Sequence, residues 1–200
     1  PVLLQHMIDS VALQSYPNWE LCIADDASTN PQVKDVLSNA VESDDRIRVV
    51  FREENGHISH ASNSAIEIAQ GDYIVLLDHD DLLDCDALLY IAERINKFPE
   101  AKIIYTDEDK VSHLGVYATE ILRKIGGFRP GYEGAQDHDL LLRCLPYVTD
   151  DQIHHIPKVL YSWRATPGST AVTADAKPYA WDAGVRAVAD ALSLNAAEPI

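Results

Sequence analysis

With 200 residues, 46% of them hydrophobic and 24% charged, the chain can bury a sizeable core and reads as one folded domain of ordinary globular composition. A net charge of −16 argues against a nucleic-acid backbone as the main partner, because phosphate binding draws on clustered Lys and Arg; it suits solubility, or a site that holds a cation. No apolar run approaches a membrane span and no basic-then-apolar leader opens the sequence, so the piece is expected to be soluble, whatever larger or membrane-associated protein it belongs to.

In chain order, PVLL leads into a helical stretch that reaches Leu13. Short β-rich runs follow at residues 20–24, 46–51, 73–77 and 102–106. Helix-period segments separate them at 33–41, 62–69 and 86–98, the last with Leu88, Ile91, Ala92, Ile95 and Phe98 on one face. Asn30 before Pro31 is a favourable helix start, an Asx cap ahead of a first-turn proline. Such alternation predicts an α/β fold with a mainly parallel, Rossmann-like sheet flanked by helices. The second half is less regular: a helix at 119–125 stopped by Gly126-Gly127, another near 137–145, short strands in IHHI and VLYSW, and a final amphipathic helix at 179–192. Cys22, Cys85 and Cys144 are odd in number, far apart and without C-x-x-C spacing, as expected of thiols in a reducing compartment.

Parallel α/β sheets bind ligands at the carboxyl ends of their strands. Three of the four runs end in acid: Asp25-Asp26 after LCIA, Asp78-His79-Asp80-Asp81 after YIVLL, and Asp107-Glu108-Asp109 after IIYT. Lys110 is the only basic residue adjacent to these clusters in sequence, so the crowded charge calls for a counter-ion. Hard oxygen ligands suit Mg²⁺ or Mn²⁺ rather than a closed zinc site. Acids also favour helix N-termini, which is the reading for Asp84 and Asp86 ahead of the 86–98 helix, whereas Asp78 and Asp80 read as cation ligands. Asp81 and Asp84 are expected to be solvated or capping. Neither a Walker-type loop nor G-x-G-x-x-G follows the first strand, so backbone amides do not cradle phosphates in those ways.

Four segments, YPNWELCIADDAST, ENGHISHASNSAIEIAQGDYIVLLDHDD, GGFRPGYEGAQDHDLLLR and IHHIPKVLYSWR, together resemble the inverting nucleotide-sugar glycosyltransferases of family two, with the GT-A fold. The similarity runs in order over residues 8–164 and is nearest to bacterial members that build O-antigen and other surface polysaccharides, rhamnosyltransferase-like proteins among them. It implies a UDP- or dTDP-sugar donor, Mn²⁺ or Mg²⁺ as cofactor, and a glycan or lipid-linked acceptor. It further implies a cytoplasmic location, with peripheral association at the inner face of the plasma membrane through parts outside this sequence. Residue by residue, Asp26 would bind the uracil or thymine ring with Asp25 beside it. Asp78 would lie near the ribose and metal, and Asp80 would hold the metal. His155 would be a further ligand, and Arg164 would sit near the diphosphate. Asp137, the second residue of Gln136-Asp137, would be the catalytic base; a carboxylate at a helix start stays ionised, and Asp137 or Asp139 could equally cap that helix. His154 and Trp163 read as structural.

The resemblance also marks departures. A first strand that contacts the nucleotide would precede Pro1, and a stretch of residues would lie between Lys110 and Val111. His57 stands in a glycine-rich place where relatives carry a basic residue, which leaves it a candidate nucleotide contact, and Ser162 replaces a frequent histidine. The domain would divide into a nucleotide-sugar half, 1–110, and an acceptor and catalytic half, 111–200. Two other classes compete. One is a haloacid-dehalogenase-like phosphohydrolase with Asp78 as nucleophile, disfavoured by Leu82 where that family carries Thr or Val and by the lack of a distal Lys with an acidic pair. The other is a catalytically silent nucleotide-binding unit of a larger glycan-synthesis protein.

Overall fold

The computed structural model describes residues 1–107, 114–164 and 178–197. Chain order is α1 (Val2–Ala12), β1 (Leu21–Asp25), α2 (Pro31–Ser43), β2 (Ile47–Phe51), α3 (His57–Ile68), β3 (Tyr73–Val75), β4 (Leu82–Leu83) and α4 (Ala87–Lys97). There follow β5 (Ile103–Asp107), β6 (Gly115–Ala118), α5 (Thr119–Ile125), α6 (Gln136–Cys144), β7 (Ile153–Val159), β8 (Tyr161–Ser162) and α7 (Pro178–Ala197). Local chemistry explains several boundaries. Asn30 Oδ1 accepts from the Gln32 amide at 3.0 Å and Pro31 fills the first turn of α2. Gly126, at φ 77°, ends α5 in the left-handed region that glycine enters without a Cβ clash.

The α/β class holds, with mixed rather than mainly parallel pairing. β1 runs parallel to β2 and β5 parallel to β7, but β6 lies between β3 and β5 and is antiparallel to both. The sequence reading had no strand at GVYA: four residues show too little alternation to be told from a loop. A separate antiparallel pair, β4 with β8, ties the segment after Asp81 to the carboxyl half.

Consecutive strand residues serve opposite faces, as the two-residue repeat requires. Ile104 and Val116 join a cluster with Leu4, Ile8, Ile91 and Ile156, while Ile103 and Tyr117 join another with Ile66, Leu122, Phe128 and Leu140. Against these well-filled layers, β1 and β3 stand apart. They are not hydrogen-bonded to each other, β1 is only partly buried along its length, and residues of both line a cavity of about 1900 Å³ that also reaches Leu4, Met7 and Ile58. Among the described residues no helix is long and apolar enough to cross a membrane.

Candidate active site

Acids that are distant in sequence line the wide cavity. Asp25 and Asp26 at the end of β1, Asp78 after β3 and Asp137 in the first turn of α6 all line it, as does His79. Asp25 is the last residue of the β1 ladder, with Asp26 directly after it, and Asp78 follows the end of β3 at Val75.

Asp26 is not left to its neighbours' charge. Its Oδ1 accepts from Arg52 Nε at 2.8 Å and from the Gly56 amide at 2.9 Å. Sequence adjacency missed this cation, because Arg52 follows β2 and reaches β1 only through the parallel register that sets Asp25 opposite Phe51. Asp25 accepts from the Ser28 amide at 3.3 Å. His57 opens α3 at φ 60° and is exposed. The backbone amides of Glu133 and Gly131 and the Ser59 hydroxyl hold the Glu133 carboxyl below its usual range.

The Asp78–Asp81 turn divides its acids sharply. His79 Nδ1 lies 3.8 Å from Asp80 Oδ1 on a largely exposed ring. Asp81 is 1% exposed, against the expectation of a solvated or capping residue. Its Oδ2 accepts from the Tyr161 hydroxyl at 2.5 Å and its Oδ1 from the Arg164 amide at 2.8 Å. Burial raises the Asp81 carboxyl above its ordinary pKa, opposed by those two donors. The Arg164 guanidinium binds the Asp80 carbonyl through Nε and the Leu3 and Asp81 carbonyls at 3.4 Å each. Arg164 therefore sits beside the turn, with Nε and Nη2 on backbone oxygens and Nη1 3.2 Å from His6 Nδ1.

Asp137 and Asp139 are separated by helical phase. Two residues along a helix is about 200° of rotation. Asp137 faces the cavity and receives a 3.2 Å hydrogen bond from Gln136 Nε2, whereas Asp139, 1% exposed, points inward. Asp139 accepts from Arg129 Nε at 3.2 Å and Arg143 Nε at 2.9 Å. Neither supplies a side-chain cap; Ala135 holds the cap position.

His155 is not brought to this cluster. Its Nε2 is 2.7 Å from Asp107 Oδ1, its ring stacks on Tyr105 with centroids 4.8 Å apart, and it lines a different cavity, of about 480 Å³, over β5 and β7. Glu108, Asp109, Lys110 and His113 lie outside the described residues. Among the described residues, the set of three potential ligand side chains with atoms within 4.8 Å of one another is Asp84, Cys85 and Asp86. There the Asp84 carboxylate accepts from the Asp86 amide at 3.1 Å in the turn before α4; Asp86 holds the cap position but makes no side-chain cap bond, its carboxylate accepting from the Ser15 hydroxyl. Of the two acids expected to hold a divalent ion, Asp78 lines the wide cavity and Asp80 is not among its lining residues; both are hard carboxylates of the kind that Mg²⁺ or Mn²⁺ takes.

Acids at strand ends beside a cleft, on a sheet layered with helices, lie where open α/β scaffolds take their ligands. Residues 1–132 match the family described as Glycosyl transferase family 2, and the chain belongs to that family. It is 55% identical to the uncharacterized protein y4gI of Sinorhizobium fredii across the whole of this chain and 25% of that protein. It is also 33% identical to the O-antigen biosynthesis protein RfbC of Myxococcus xanthus over 95% of this chain and 17% of that one. The chain thus spans a quarter or less of the length of these two relatives. Among solved structures, TarS 1-349 of S. aureus in complex with UDP-GlcNAc superposes with a TM-score of 0.72 at 18% identity, covering 85% of this chain and 57% of that one. The mannosyltransferase PcManGT of Pyrobaculum calidifontis, in complex with GDP-Man and Mn²⁺, gives 0.70 at 19% identity, covering 100% of this chain and 72% of that one. At these identities the likeness establishes the fold, GT-A.

Proposed function

We propose that this chain is the donor-binding and catalytic part of a metal-dependent inverting glycosyltransferase of surface-polysaccharide synthesis. It would move a sugar from a UDP- or dTDP-sugar to a hydroxyl of a glycan or lipid-linked acceptor. The observation that carries the reading is that Asp25, Asp26, Asp78 and Asp137, distant in sequence, all line one cavity. Family membership, the O-antigen relative and neighbours bound to UDP-GlcNAc or to GDP-Man with Mn²⁺ support it.

Asp26, held by Arg52 and Gly56, would accept from the base ring, with Asp25 beside it. Asp80 with Asp78 would hold Mn²⁺ or Mg²⁺; such an ion neutralises charge that develops on a leaving diphosphate. Arg164, adjacent to the same turn, adds positive potential there. Asp137 takes the proton from the acceptor hydroxyl as its oxygen forms the new bond at the anomeric carbon, while the bond to the diphosphate oxygen breaks. That single displacement inverts the centre. General-base catalysis needs the carboxylate ionised, which the start of α6 favours. His155, the further ligand that the resemblance implies, pairs with Asp107 and lines the other cavity, and this reading does not draw on it.

The slot between β1 and β3 supports a further element of the same reading. A strand from polypeptide preceding Pro1, followed by α1 and then β1, would form a right-handed parallel crossover and join the separated strands into one sheet. Lengthening the chain upstream should protect the β1 and β3 amides from hydrogen exchange; unchanged exchange would remove this element.

Asp137→Asn is expected to lower sugar transfer by about 10²- to 10⁴-fold with nucleotide binding almost intact. Asp80→Ala should instead abolish the Mn²⁺-dependent part of UDP binding. Transfer at the parental rate by Asp137→Asn would refute the base assignment. Nucleotide binding without transfer by the parent would favour a silent domain, and a trapped phosphoryl group on Asp78 a phosphohydrolase.

A further inference from the structure

The Asp78–Asp81 turn has no regular ladder of its own: β3 ends at Val75 and β4 begins at Leu82. What fixes it comes from a segment some eighty residues away. Tyr161, 6% exposed and paired with Leu83 across β4 and β8, places its hydroxyl between two points of the turn. That hydroxyl donates to Asp81 Oδ2 at 2.5 Å and accepts from the Asp78 amide at 3.4 Å. The second Asp81 oxygen takes the Arg164 amide at 2.8 Å, and within the turn the Asp81 amide donates to the Asp78 carbonyl at 3.2 Å. Arg164 Nε closes the outer side on the Asp80 carbonyl. A buried carboxylate whose ligands are a phenol and a backbone amide, rather than a guanidinium side chain, is costly for stability alone. It does tie the turn to β8 at two points, the Asp81 carboxylate and the Asp78 amide.

We propose that Asp81 and Tyr161 are positioning residues: a buried carboxylate–phenol buckle fastens the Asp78–Asp80 turn to β8 and sets the geometry in which those two carboxylates meet a divalent cation. The inference rests on the reading of Asp78 and Asp80 as the cation ligands. Removing the buckle would leave both ligands present but separately mobile, so cation affinity falls although no ligand is lost.

The test uses the full chain and Mn²⁺ alone, followed by electron paramagnetic resonance, with UDP binding with and without Mn²⁺ as a second readout. Tyr161→Phe keeps the ring and removes only the hydroxyl; Asp81→Asn keeps the shape. Ile104→Val, a buried change elsewhere on the sheet, serves as a control for general loosening. We expect Tyr161→Phe and Asp81→Asn to weaken Mn²⁺ binding by about 10-fold or more. UDP binding without metal should be unchanged, and the control should bind Mn²⁺ like the parent. If Tyr161→Phe binds Mn²⁺ as the control does, the buckle is structural only and the proposal is overturned, whether or not Asp81→Asn folds. If the parent itself binds neither Mn²⁺ nor UDP, the functional reading fails first and takes this inference with it.

Discussion

Asp81 and Asp139 are equally buried, each 1% exposed, yet the molecule treats them in opposite ways. Asp139, in α6, sits between two guanidiniums, Arg129 and Arg143, and the latter also donates to the Ile125 carbonyl at 2.9 Å. Asp81, in the strand-end turn, has only a phenol and a backbone amide on its carboxylate. The region around α6 compensates charge with charge, which fastens helices and loops together. The turn after β3 holds the Asp81 carboxylate with a phenol and an amide and keeps the Arg164 guanidinium on the neighbouring carbonyls, an arrangement that fixes the turn itself. Buried acids are therefore not one class here.

The largest effect that would test this contrast lies at Asp139. Asp139→Ala strands Arg129 and Arg143 around an empty position, and breaking a buried pair from one side costs about 3–5 kcal/mol. Urea unfolding of the full chain should show a midpoint lowered accordingly. A loss below about 1 kcal/mol would place the two arginines in adequate solvent contact and erase the distinction.

An intermediate effect is expected at the seam between the regions. Asn63 in α3 donates through Nδ2 to the Phe128 carbonyl at 2.8 Å and accepts through Oδ1 from the Phe128 amide at 2.7 Å. The contact is close enough that a Cβ on Gly127 would lie 2.2 Å from Asn63 Oδ1. Asn63→Ala should cost about 1–3 kcal/mol, since it leaves both backbone groups of Phe128 without a partner. Thermal melting would read it, and a neutral result would mean that water replaces the amide.

A smaller effect is expected at Asp81 itself. Burial already disfavours its ionised form, so Asp81→Asn removes that penalty while giving up one of two hydrogen bonds. The two nearly cancel, and melting should shift by less than the equivalent of about 1 kcal/mol. A loss as large as that of Asp139→Ala would show that the turn, too, depends on its carboxylate for stability.

How much of this was legible in the sequence follows from which interactions are local. α5 and the start of α2 were readable because their caps and stops, Asn30-Pro31 and Gly126-Gly127, act within a turn or two of themselves. The strand-end acids were readable because the apolar runs before them are contiguous. The burial of Asp81 was not: it needs Tyr161 and Arg164, brought across by the β4–β8 pairing. The Arg52 partner of Asp26 and the Asp107 partner of His155 depend in the same way on parallel register. Asp137 and Asp139 were ambiguous as a pair, and only the packed face of α6 separates them, although their 200° phase difference already required that they point apart.

The smallest expected effect concerns Asp190, the exposed end of the charge-compensated region. Its carboxylate accepts from the Tyr132 hydroxyl at 2.5 Å and lies 3.1 Å from Arg129 Nη2, which links α7 to the loop before α6. The Tyr132 hydroxyl, more than burial or the nearby guanidinium, holds the Asp190 carboxyl below its ordinary pKa. A carboxylate depressed in the folded state contributes stability above its unfolded pKa of about 3.9, and that contribution is lost as pH falls through the lower folded value. Tyr132→Phe removes the main cause of the depression, so parent and variant should differ in melting temperature at neutral pH. The difference should shrink as the pH drops below about 4, where the carboxylate protonates in either protein. Added salt should leave most of it in place, because a phenol–carboxylate bond is screened less than an ion pair. A difference that persists unchanged at pH 2 would assign the role of Tyr132 to its ring against the Arg129 guanidinium, 4.2 Å from the ring centroid, rather than to its hydroxyl.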